Sequence, residues 1–100
     1  MPKKLSPIHP GEILREEFMK PLGMSSNALA RAIDVTPALV NEIVRERRGI
    51  SADTALRLAR FFGTDVQSWM NLQSHYDHQC AEDTAWRLIQ KIIPRMALTA

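Results

Sequence analysis

Apolar residues recur along the chain at three- and four-residue intervals, and no stretch alternates apolar with polar long enough to suggest a half-buried strand. The spacing predicts short helices. Ile13, Leu14 and Phe18 share the inner face of a first helix over about 10–20, with Pro10 suited to its opening turn and Pro21 expected to end it. Ser25 or Ser26 caps a second helix, which places Leu29, Ala32 and Ile33 inward. A turn at Asp34-Val35 leads to Thr36 as N-cap and Pro37 at the first position of a third helix, which reaches about Arg45 or Glu46. Ser51 caps a fourth, carrying Ala55, Leu58, Ala59 and Phe62. A fifth starts near Thr64 and Asp65 and carries Val66, Trp69, Met70, Leu72 and Tyr76. After His75 the chain is polar and less periodic until Ala85; Trp86, Ile89, Ile92 and Ile93 then suggest a last amphipathic helix, stopped near Pro94. The expected fold class is all-α: five short helices over residues 8–77, an N-terminal arm over 1–7 and a C-terminal extension over 78–100, helical near 84–93.

Composition narrows the class. One hundred residues, 45% of them hydrophobic, make one compact core rather than two, and 24% charged residues suit an ordinary folded surface. Cys80 is alone, so no intrachain disulfide forms and a reducing cytoplasm is the expected compartment. No run approaches a bilayer-spanning length, and the start Met1-Pro2-Lys3-Lys4-Leu5-Ser6-Pro7 lacks the apolar stretch of a secretory signal. The formal charge of +2 says little about partners, so the placement of charge has to decide.

That placement is uneven around the second and third helices. Two short helices joined by a three- or four-residue turn make the unit that fits a DNA major groove, and 26–33 with 37–45 have that spacing. In the third helix Val40, Ile43 and Val44 point one way, with Leu39 at the margin; Ala38, Asn41, Glu42 and Arg45 fall opposite at i, i+3, i+4 and i+7. Asn pairs bidentately with adenine, Arg with guanine, Glu accepts from cytosine, and Ala meets a thymine methyl. Ser26 and Thr36 lie at helix N-termini, where amides and dipole favour a phosphate, and Pro37 opens the reading helix. Arg45, Arg47 and Arg48 are the densest basic cluster, placed to neutralise phosphates. Glu42 and Glu46 would repel phosphates if they faced them; helical spacing lets Glu46 turn aside more easily than Glu42. The same pattern also fits a solvated helix face, because helical hairpins occur in proteins that never touch DNA.

From Met24 to Phe62 the chain resembles the helix–turn–helix domain of the lambda-repressor-like, or XRE, family. The run Ser25-Ser26-Asn27-Ala28-Leu29-Ala30-Arg31-Ala32-Ile33-Asp34-Val35-Thr36 carries that likeness, including a small Ala30 where two helices approach. Asp34 and Glu46 depart from it, standing where many members have glycine. Three further runs are similar to the HigA/VapI antitoxins: Ile8-His9-Pro10-Gly11-Glu12-Ile13-Leu14, Arg48-Gly49-Ile50-Ser51-Ala52-Asp53-Thr54-Ala55-Leu56-Arg57-Leu58-Ala59-Arg60-Phe61-Phe62-Gly63-Thr64, and Trp69-Met70-Asn71-Leu72-Gln73. The likeness spans about residues 8–77. It implies an antitoxin that neutralises a HigB-like toxin, a RelE-like mRNA endonuclease, and represses its own operon by binding a palindromic double-stranded operator as a homodimer. A stand-alone repressor without a toxin is the alternative. Dimerisation would need apolar surface away from the reading helix: Trp69, Leu72 and Tyr76 on the fifth helix, or Trp86, Ile89 and Ile93 on the last. For Trp69 completion of a small core is the favoured role, since a small domain needs its large side chains inside.

Other chemistries fit less well. His75, His78 and Cys80, with Asp77 and Glu82 nearby, are metal-ligand types, but apart from His9 no distant segment offers a second ligand pair, so no metal is expected. His9 beside Glu12 is not an acid–base set and reads as helix-start chemistry; no catalytic residues and no cofactor are expected. The six aromatics fall at core spacings rather than on a stacking platform for RNA.

Overall fold

A computed structural model describes residues 6–95. Of the expected N-terminal arm only 6–7 fall within them, and the last five residues of the expected extension lie outside them. The described residues form five helices and no strand. Helix α1 comprises three contiguous stretches, Pro10–Ile13, Leu14–Met19 and Lys20–Leu22, followed by α2 Ser26–Ile33, α3 Pro37–Val44, α4 Ala52–Phe62 and α5 Val66–Ile89. One core joins them, built on Leu14, Leu29, Val40, Ile43, Leu58 and Trp69.

Local chemistry sets the helix starts. Ser25, Thr36, Ser51 and Asp65 cap α2 to α5, each side-chain oxygen accepting from the amide three residues on. The ends are equally regular. Gly23, Asp34, Glu46 and Gly63 follow α1 to α4 in the left-handed conformation. After each, a backbone amide reaches back five residues: Met24 to Met19, Val35 to Ala30, Arg47 to Glu42, Thr64 to Ala59. Asp34 and Glu46, at φ 59° and 62°, adopt the left-handed backbone that glycine takes without steric cost. Each carries a steric penalty of about 1–2 kcal/mol that glycine would avoid.

Three expectations are corrected. Pro21 does not stop α1. The middle stretch, Leu14–Met19, is a π-helix, and the Lys20 amide donates to Arg15 five residues back. This widened turn shifts the hydrogen-bond ladder just before the proline, so its ring and missing N–H are tolerated within the final turn. It also buries Leu14 together with Met19, leaving Ile13 and Phe18 half-buried at the rim. Ala32 faces solvent, because the buried stripe of α2 runs through Leu29, Ala30 and Ile33. The fifth and last predicted helices are one: α5 continues through the polar segment and ends at Ile89, ahead of Pro94. Its outer half follows no inward stripe, which is why periodicity failed there.

The start of α1 is fitted against the end of α3. His9, only 3% exposed, caps α1 by accepting from the Gly11 amide at 2.8 Å through Nδ1, and its ring meets Tyr76 edge-on at 4.7 Å. Burial lowers the His9 pKa below its ordinary 6.5, opposed by Glu46 and Asp77, and keeps Nδ1 free to accept. A Cβ on Gly11 would sit 1.8 Å from the Ile43 carbonyl oxygen. Gly11→Ala is therefore expected to push α1 away from α3 and destabilise the domain by about 1–3 kcal/mol, measured by urea unfolding.

Candidate nucleic-acid interface

The two-helix unit presents α3 outward along one stripe. Val40 and Ile43 are buried, Val44 and Leu39 half-buried, while Ala38 and Arg45 are exposed and Asn41 and Glu42 partly so. Thr36 Oγ1 accepts from the Leu39 amide at 3.2 Å and the Thr36 carbonyl from the Val40 amide, which leaves Ala38, beside Pro37, as the first-turn amide of α3 not taken by the cap. Ser25, rather than Ser26, caps α2; Ser26 is its first helical residue, half-buried. Arg45, Arg47 and Arg48 are exposed in the bend after α3. Glu46 turns away from them: its carboxylate meets Arg15 of α1 at 3.3 Å. Glu42 remains on the outward face of α3.

Two guanidinium groups that motif reading did not single out hold this unit. Arg57 of α4 donates from Nη1 to the Ile33 and Asp34 carbonyls at 2.9 and 3.0 Å, and from Nε to Asp53 at 2.8 Å. It closes the exit of α2 and the turn. Arg15 of α1 donates to the Val44 carbonyl at the exit of α3, as well as to Glu46 and to Glu16. Hydrogen bonds from Arg15 and Lys20 hold the Glu16 carboxyl below its usual range. The Asp53–Arg57 spacing of four residues was visible as a helix pair; nothing local marks its reach to the turn.

A third anchor comes from α5. Gln73 Oε1 accepts from the Ile50 amide at 2.6 Å, its Nε2 donates to Asp77 at 2.9 Å, and its amide packs where a Gly49 side chain would stand. The bend that carries the arginines is thus tied to the helix behind it.

The remaining sequence candidates distribute clearly. Trp69 is 2% exposed, meets the tilted ring of Phe18 at 5.1 Å and donates from its indole to Thr64 at 2.8 Å; it completes the core and offers no surface to a partner. Leu72 and Tyr76 are half-buried, and the Tyr76 phenol is raised above its ordinary pKa by a hydrogen bond with Cys80 and by burial. Trp86, Ile89 and Ile93 are exposed. His75 and His78 are exposed on α5, where His78 lies 3.9 Å from Glu82. No described helix is long and apolar enough to cross a membrane.

Two capped helices at a fixed angle, the second with an outward polar stripe and arginines at its exit, define the helix-turn-helix class. The family model described as "Helix-turn-helix" matches residues 16–69, and the chain belongs to that family, in its XRE type. It is similar to virulence-associated protein I of Dichelobacter nodosus, 61% identical over 87 residues that cover 87% of this chain and 80% of that protein. It is also similar to Pseudomonas aeruginosa antitoxin HigA solved with the higBA promoter, at 52% identity and TM-score 0.87, covering 91% and 99% of the two chains. Antitoxin GraA in complex with its operator gives 46% identity and TM-score 0.88 over 98% and 99%.

Removing the Gln73 side chain should free the bend without disturbing the core. Gln73→Ala is expected to speed amide exchange at Ile50 and to cost about 1–3 kcal/mol of stability, as for any amide left without its partner away from water. Exchange measured by NMR at Ile50, compared with Leu58, checks both parts.

Proposed function

We propose that the chain is a sequence-specific DNA-binding antitoxin that represses its own operon as a homodimer and neutralises a HigB-like, RelE-like endonuclease toxin. The observation that carries the DNA part is the outward stripe of α3, held by guanidinium caps at the exits of both α2 and α3. The operator and promoter complexes of the similar HigA and GraA antitoxins support it, and the antitoxin names of those relatives support the toxin partner.

In this reading Ala38, Asn41 and Arg45 read base edges, with Glu42 beside them as an acceptor for cytosine. Ser26, Thr36 and the Pro37 turn hold one phosphate run through helix N-terminal amides; Arg47 and Arg48 hold another through charge. Diversion of Glu46 onto Arg15 removes a carboxylate from the arginine bend. A two-fold pair sets two reading helices about 34–36 Å apart, one turn of a palindrome. Trp86 and Ile89 at the apolar end of α5, and Ile93 just beyond it, form the surface for pairing, and Leu72 and Tyr76 lie nearer the body on the same helix.

Mobility shifts on the region upstream of the gene test the assignment. Arg45→Ala is expected to cost about 1–3 kcal/mol on the operator and to relax preference at one base position. Arg48→Ala is expected to weaken every sequence alike and to reduce the salt slope by about one. An Arg45→Ala variant with wild-type operator affinity removes that residue from the reading surface. Co-purification of the neighbouring gene product separates the antitoxin from a stand-alone repressor.

A further inference from the structure

One buried, titratable side chain stands at the joint between α1 and the reading helix. The His9 ring is 3% exposed, and its Nδ1 is the acceptor that caps α1, bound by the Gly11 amide at 2.8 Å. Since Nδ1 accepts, the neutral ring carries its proton on Nε2. Gly11 in turn lies under the Ile43 carbonyl in the last turn of α3, so close that a Cβ does not fit between them. One turn further along α1, Arg15 holds the Val44 carbonyl and Glu46. The cap, the glycine seat and the guanidinium form one seam, which runs from His9 to the bend that carries Arg45, Arg47 and Arg48.

We propose that His9 is a proton-controlled positioning residue: its neutral ring latches α1 to the reading helix, and protonation at Nδ1 releases the latch and weakens operator binding. This rests on the DNA-binding reading above and adds its regulation by acidity. A second proton on the ring has only Nδ1 to go to. There it turns the acceptor into a donor that faces the Gly11 amide, two N–H groups at hydrogen-bond distance. It also encloses a charge in protein beside the edge-on Tyr76 ring. Both costs are relieved when the ring leaves its place, which takes the opening turn of α1, and Gly11 with it, off the Ile43 carbonyl.

Charged and titratable groups come from every element packed against the ring. Glu12 is on α1, Glu46 on the bend after α3 and already paired with Arg15, and Tyr76 and Asp77 are on α5, with Cys80 bonded to the Tyr76 phenol. Burial pushes the His9 pKa down and the carboxylates of Glu46 and Asp77 push it up; burial prevails. The unfolded chain therefore takes up this proton near the ordinary 6.5 and the folded chain only at lower pH. The stability that the cap contributes is complete above 6.5 and is lost as pH falls from there through the folded value. General electrostatics runs the other way. Protons added to the protein raise its positive charge, which alone favours binding to a polyanion. Weaker operator binding in acid is thus a signature of the latch.

The experiment follows the full chain from about pH 7.5 to about pH 5 by NMR of the His9 ring and the Gly11 amide. Operator affinity is measured over the same range at fixed salt, beside His9→Asn and Asp77→Asn. Asparagine is a strong N-cap that accepts without titrating. The expected result is a Gly11 amide shift that tracks the His9 ring at a midpoint below 6.5, and an operator affinity about tenfold weaker one pH unit below that midpoint. His9→Asn loses the acid fall whatever its affinity at neutral pH, although His75 and His78 are unchanged in it. Asp77→Asn, which removes a charge favouring imidazolium, keeps the fall and moves its midpoint lower. Wild type and Asp77→Asn carry the test should His9→Asn fail to fold. An acid fall that persists in His9→Asn, or an affinity that is flat or rises through the His9 midpoint, overturns the latch. So does a fall that vanishes in Asp77→Asn, which assigns it to the carboxylate, or a His9 ring that titrates without moving the Gly11 amide. A chain that binds no operator at any pH overturns the DNA reading instead, and the ring and amide shifts then decide the latch alone.

Discussion

The two-helix unit depends on how the carbonyl ends of two eight-residue helices are closed. So short a helix leaves as many orphan carbonyls at its exit as it satisfies internally. Here each exit is closed by a left-handed residue and a distant arginine: Asp34 with Arg57 for α2, Glu46 with Arg15 for α3. The helices that frame the unit thereby fix its angle. Neither α2 nor α3 is long enough to hold a direction by itself. Their orientation is a tertiary property, delivered by charge-assisted hydrogen bonds from α1 and α4.

This explains what could be read from the chain and what could not. Helix starts were legible because a hydroxyl or carboxylate three residues ahead of an amide is a local signal; Thr36, Ser51 and Asp65 needed no tertiary information. The outward stripe of α3 followed from spacing alone. Arg15, Arg57 and Gln73 did not, since their partners lie 29, 24 and 23 residues away and side-chain type does not encode reach. The tail of α5 was divided in two because periodicity reports burial, and beyond Cys80 the helix has little to be buried against. Pro21 misled for a different reason. Its usual effect presumes a regular ladder, and the turn before it is not regular.

Glu46 in the left-handed conformation has an effect beyond closing a helix. A left-handed residue with a carboxylate closes a helix and, at position 46, also supplies an anion to Arg15. Glycine would relieve the backbone but leave that guanidinium with the Val44 carbonyl and Glu16 alone. The backbone strain and the ion pair are thus two sides of one residue choice, and they couple α1 to the bend that carries the arginines.

The widened turn of α1 has a consequence for chain length. It holds one residue more than a regular turn, and that residue sets the phase between the two ends of the helix. Ordinary helical winding of 14–19, with the number of residues unchanged, would rotate everything upstream by about 100°. The imidazole at position 9 would then swing off Tyr76, and the bare α-carbon of position 11 would lose its place under the Ile43 carbonyl. A turn of regular pitch would thus unlatch the first helix from the third, even with every residue kept.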